Sequence, residues 1–79
     1  MDISTILKLY DFAKKNNMIL RLHLANIHDG EEFYLDLNDG ESKLDWTANN
    51  LILEKEGRIY AFDLDYVYAV STHPKAGGD

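Results

Sequence analysis

The chain contains no cysteine, a single proline and only eight basic side chains against fourteen acidic ones. Without cysteine there is neither a disulfide framework nor a thiolate metal site, so packing alone has to hold the fold together. No apolar run approaches the roughly 20 residues of a membrane span. The opening Met1-Asp2-Ile3-Ser4-Thr5 lacks the basic segment and apolar core of a secretory leader, and the expectation is a cytoplasmic protein without membrane contact. With 79 residues a folded chain buries only about 60% of its unfolded surface. One small domain over residues 1–73 is expected, helped by self-association, with a flexible tail over residues 74–79 that follows Pro74 and contains Gly77 and Gly78.

The shortage of basic residues is local. Between residues 29 and 45 stand Asp29, Glu31, Glu32, Asp36, Asp39, Glu41 and Asp45 against Lys43 alone, so this segment carries the whole formal charge of −6. A phosphate backbone demands a basic footprint, and here the leading electrostatic contribution to nucleic-acid affinity is unfavourable. Such a surface keeps a small protein soluble, or docks a basic partner.

What is present is periodicity. Ile3, Ile6, Leu7, Tyr10 and Ala13 recur at helical spacing, with Leu9 and Phe12 widening the stripe, and predict a helix over residues 4–16. Asp2 or Ser4 can cap its start, Lys14 and Lys15 suit its end, and Asn16-Asn17 can take a left-handed exit. From Met18 the period becomes two: Met18, Leu20, Leu22 and Leu24 point one way, Ile19, Arg21, His23 and Ala25 the other. After a turn at His28-Asp29-Gly30, Phe33, Leu35 and Leu37 face inward while Tyr34 and Asp36 face outward. Asn38-Asp39-Gly40 turns into a strand over 42–47, with Leu44 and Trp46 on its core side. Residues 51–55 and 58–63 flank Glu56-Gly57 as a tight hairpin. A 3₁₀ turn at Asp63-Leu64-Asp65 precedes a last strand over 66–72.

The fold class is therefore mainly β, an α+β chain: an N-terminal helix followed by a five- to six-stranded, strongly bent antiparallel barrel of SH3-like or Sm-like type. The final strand, Tyr66-Val-Tyr-Ala-Val-Ser-Thr72, resembles the Tyr-Lys-His-Ala-Ile-Ser-Thr stretch of bacterial Hfq proteins, which belong to the Sm-like family. Asn50-Leu-Ile-Leu-Glu54 is similar to the Asn-Leu-Val-Leu pattern that closes the first Sm motif, with Asp45 one residue further upstream than the family's aspartate. The resemblance implies a non-catalytic protein that forms a homo-oligomeric ring of about five to seven subunits and offers one face to RNA, a nucleotide or a protein. Val67 and Tyr68 stand where Hfq has its RNA-contacting Lys-His pair, and Tyr60-Ala61-Phe62 replaces the Sm Arg-Gly pair, so RNA contact carries over less well than fold and assembly.

Asn50, flanked by Asn49, is the residue best placed to inherit a base contact, since its amide offers both donor and acceptor. Tyr66 and Tyr68 can stack on a base or a partner side chain. Equally, the asparagines make a connecting turn and the tyrosines cover a core or subunit interface. An alternative function is that of a small acidic, phage-type inhibitor. Asp29, Glu31, Glu32, Asp36, Asp39 and Glu41 would then imitate phosphates and bind a basic protein. A third is a monomeric SH3-like adaptor with Tyr34, Tyr60 and Trp46 lining a peptide groove.

Catalysis, cofactors and metals are not expected. His23, His28 and His73 read as unrelated surface histidines, because His23 and His28 differ in strand parity and His73 lies near the tail. Asp36 to Gly40 fails as a calcium loop, its glycine coming one position early and its distal glutamate missing. Ser42 and Ser71 have no recognisable base partner in the sequence.

Overall fold

The structure, a computed structural model, describes residues 1–26 and 28–75. Helix α1 spans Ile3–Lys15, one residue earlier at each end than the periodicity predicts. Asp2 is its N-cap: the carboxylate accepts from the Ser4 backbone N–H at 3.3 Å and from the Ser4 hydroxyl at 2.7 Å. At the other end the Asn16 side chain donates to the Phe12 carbonyl at 2.8 Å, and Asn17 leaves in the left-handed region at φ 55°. Ile6 and Ala13 are fully buried and Leu9 packs against the core, whereas Phe12 faces solvent.

Six strands follow: β1 (Met18–Ala25), β2 (Glu32–Asp36), β3 (Ser42–Trp46), β4 (Asn50–Lys55), β5 (Arg58–Asp63) and β6 (Val67–Pro74), with a 3₁₀ turn at Leu64–Tyr66. The β4–β5 hairpin turns on Glu56 and Gly57 at φ 53° and 73°, the two positive angles of a type I′ connection. The strands form two three-stranded antiparallel sheets, ordered β2-β1-β6 and β3-β4-β5. A closed barrel is not formed: β6 and β5 each end a sheet, and the chain leaves the ladder at residues 37–41 instead of running through as one bent strand. Leu20, Leu22 and Leu24 of β1 and Leu51 and Leu53 of β4 fill the core, closed by Ile6, Ala13, Leu37, Leu64 and Val67.

Polar side chains fix the crossing between sheets. The Leu37 N–H still pairs with the Leu20 carbonyl at 3.0 Å. One residue on, the Asn38 amide replaces the ladder, accepting from the Leu20 N–H and donating to the Met18 carbonyl, each at 2.8 Å. From β4, the Lys55 ammonium donates to the Asp36 carbonyl at 2.9 Å and the Asp39 carboxylate at 2.8 Å, with its own side chain only 11% exposed.

Two inward assignments need correction. Trp46 shares its face with Leu44 and pairs with Leu51, yet it is 45% exposed, because it stands at the end of β3 where no element covers it. Phe33 keeps its parity opposite Leu24 but is 55% exposed. The last strand also runs past Thr72, with Pro74 in register with Met18. From residue 76 the expected tail lies outside the described residues.

Three outcomes test this account. Leu22→Ala empties a fully buried site and should cost about 2–5 kcal/mol in denaturant unfolding. Lys55→Met keeps the buried stem but strips two acceptors of their donor, and about 1–3 kcal/mol should be lost. The side-chain and backbone hydrogen bonds from Ser4 hold the Asp2 carboxyl below its ordinary 3.8. The cap is therefore fully in place above that value and is lost as pH falls through the lower folded one. In an NMR titration, Ser4→Ala should move the Asp2 midpoint up towards 3.8.

Candidate functional site

Strand pairing places Arg21, His23, Tyr34, Asp36, Ser71 and His73 on the outer face of the first sheet, because all stand opposite in parity to the buried leucines of β1. Arg21 is opposite both Asp36 on β2 and Ser71 on β6. Its guanidinium donates to the two Asp36 oxygens at 2.8 and 3.2 Å and lies 4.0 Å from the centre of the Tyr34 ring. The bond to Asp36 strengthens the guanidinium's hold on its proton. The pair so formed is planar, stacked and internally neutral.

Beside it, the Ser71 hydroxyl is shared by two imidazoles: His23 Nε2 and His73 Nε2 each lie 2.7 Å from Ser71 Oγ. A hydroxyl has one proton, so with both rings neutral one Nε2 accepts it and the other donates its own. A register shift between His23 and Leu24 brings the Tyr68 ring to the same face, 6.1 Å from the His23 ring. Partial desolvation, and then the nearby Glu32 carboxylate, hold the Tyr68 phenol above its usual range. An open concavity of about 580 Å³ adjoins the face, bordered by Arg21, Asp36, Asn38, Asp39 and His73.

His23 and His73 are thus not unrelated surface histidines, and Ser71 does have imidazole partners, contrary to the reading of the sequence. The signal was partly present, since His23, Ser71 and His73 are all outward by parity. What was missing was the β1–β6 register, which no local pattern specifies. His28 stays apart in the loop after β1, where its backbone N–H donates to the Asn26 side chain. Among the described residues no three histidine, aspartate or glutamate side chains gather as a metal cluster.

The four residues singled out for ligand contact do not share one surface. Asn49 and Asn50 follow the turn that Thr47 ties, its hydroxyl accepting from both backbone N–H groups at 3.3 and 3.1 Å. The Asn49 carbonyl accepts from the Leu64 N–H at 2.8 Å, which brings this turn beside the 3₁₀ segment containing Tyr66. Tyr66 packs against the core, whereas Tyr68 stands on the outer face with His23. In the acidic segment, Asp36 and Asp39 are bonded to Arg21 and Lys55, and Asp29 accepts from the Glu31 N–H. Glu31, Glu32 and Glu41 remain exposed and outside the ion pairs found among the described residues.

A separate, apolar groove of about 360 Å³ lies between the edge strands β2 and β5, lined chiefly by Leu24, Phe33, Leu35, Ile59 and Phe62. Ile59 is 71% exposed, the barest large apolar side chain among the described residues. Comparison with protein-family models, curated proteins and solved structures finds no match to this chain.

Proposed function

We propose that the chain is a non-catalytic, Sm-like assembly protein that builds a homo-oligomeric ring and presents one face of the ring to a ligand. The observation that carries this reading is the exposed apolar groove between the edge strands β5 and β2, in a molecule whose two sheets each end in unfilled edges, β6 and β5 among them. An open edge with apolar side chains next to it is a template for another strand. Because the two edges differ, β5 of one copy joined to β6 of the next is a head-to-tail contact, which closes into a ring when the rotation per subunit permits. The order of one helix followed by antiparallel strands, and the likeness of residues 66–72 to the Hfq stretch, support the same reading.

The ligand in this reading is short RNA, a nucleotide or a protein segment. Asn49, Asn50 and Tyr66 would meet it near the 3₁₀ turn, whereas Tyr68 lies on a different surface with His23. Exposed Glu31, Glu32 and Glu41 support a second reading, in which a monomer covers a basic protein partner. Asp36 and Asp39, already bonded internally, contribute less to that surface.

Native mass spectrometry of the purified chain tests the assembly. A ring of about five to seven subunits is expected, and Ile59→Asp should reduce it to monomer while leaving thermal stability within about 0.5 kcal/mol, as for an exposed position. A monomeric parent chain at micromolar concentration would overturn the ring and favour the second reading.

A further inference from the structure

We propose that His23, Ser71 and His73 form a seat for one divalent transition-metal ion on the outer face of the first sheet. The site does not depend on assembly, since all three residues belong to the paired strands β1 and β6 of one chain. Both imidazoles turn their Nε2 atoms toward the same oxygen at 2.7 Å, so the two nitrogens are at most twice that, 5.4 Å, apart. An ion held by two imidazole nitrogens at about 2.0–2.1 Å allows them a separation of up to about 4.2 Å. Closing by about an ångström is within reach of side-chain rotation for half-buried rings.

The proton count also fits. In the empty site the hydroxyl proton is held between Ser71 and one ring, while the second ring donates its Nε2 proton. When an ion binds, that second ring carries its proton on Nδ1 instead, both Nε2 lone pairs face the metal, and Ser71 keeps its proton and offers an oxygen lone pair. No net proton is released from neutral rings. Two imidazoles and a neutral oxygen suit Ni²⁺, Cu²⁺ or Zn²⁺ rather than Mg²⁺ or Ca²⁺, and water completes the coordination.

The charged groups around the site leave room for a cation. Arg21 is neutralised by Asp36 through both carboxylate oxygens, Glu32 stands beside Tyr68 next to His23, and Lys75 lines the adjoining concavity together with Asp36 and Asp39.

Titration of the full chain with Ni²⁺ alone, followed by calorimetry and by NMR of the histidine ring nitrogens, tests the site. One ion per chain is expected, with the Nε2 signals of His23 and His73 perturbed and those of His28 unchanged. His23→Gln and His73→Gln should each weaken binding by at least about tenfold, given that even an outer-shell partner is worth 10–100-fold. His28→Gln should bind as the parent does. Circular dichroism establishes that each variant is folded, and Ser71→Ala, which leaves both rings in place, serves if a histidine variant does not fold: it should weaken binding while His23 and His73 remain the perturbed rings. The proposal is overturned if millimolar Ni²⁺ leaves the His23 and His73 signals unmoved. It is equally overturned if folded His23→Gln and His73→Gln bind like the parent, or if Mg²⁺ competes on equal terms.

Discussion

The fold depends on how the chain passes from one sheet to the other within residues 36–41. Two short sheets bury little on their own, and they become one core only if Leu22 and Leu24 on β1 are held over Leu51 and Leu53 on β4. Asn38 and Lys55 make that connection. The asparagine side chain supplies the acceptor that the Leu37 carbonyl would have offered to the Leu20 N–H and the donor that the Asp39 N–H would have offered to the Met18 carbonyl. The lysine, almost buried, reaches from β4 to the backbone and carboxylate of the crossing. A charge so little exposed needs partners, and the Asp36 carbonyl and Asp39 carboxylate take two of its three donors. The acidic character of the segment is therefore partly structural.

The same crossing explains why the barrel stays open. A continuous bent strand would carry its ladder from β1 to β4 without a break. Here Asn38 spends its amide on β1, and the chain rejoins a ladder only at Ser42. Ser42 marks the change of sheet with a hydroxyl bond to the Leu37 carbonyl at 2.7 Å. Backbone groups at the β5 and β6 margins are left for water or another strand, and the apolar groove lies against one of those margins. A lone Ile59 on a polar surface would need no explanation. An exposed isoleucine and phenylalanine lining one groove beside an open edge make the surface adhesive.

Much of this architecture was legible in the sequence because it is written in local periods. The 3.6-residue spacing of Ile3, Ile6, Tyr10 and Ala13 gives the helix, and the strict alternation from Met18 gives β1 and its buried face. Glu56-Gly57 marks its hairpin because a two-residue turn needs positive φ at both positions. Parity, however, states which way a side chain points and not what lies there. Trp46 and Phe33 have the parity of core residues and sit where the core has ended. The His23–Ser71–His73 grouping was illegible for a related reason: it joins positions 48 residues apart. It also depends on a pairing fixed only when the 3₁₀ turn at Leu64–Tyr66 sets the start of β6.

Edge and face are used by different groups on the same strand. Side chains of β6 stand roughly perpendicular to the sheet, whereas its free N–H and C=O groups lie in the sheet plane. Addition of a neighbouring strand to β6 would consume the backbone and leave Ser71 and His73 on the outer face. Any ligand held by those side chains would then stand at a subunit boundary, flanked on one side by Arg21 and His23 of its own chain and on the other by the neighbour's edge strand. Outward residues of β5, Ile59 and Ala61 among them, would border it there if β5 is the edge that adds. Assembly and ligand binding on this sheet would then be coupled by proximity, because ordering β6 at its edge also fixes the rotamers that present its side chains.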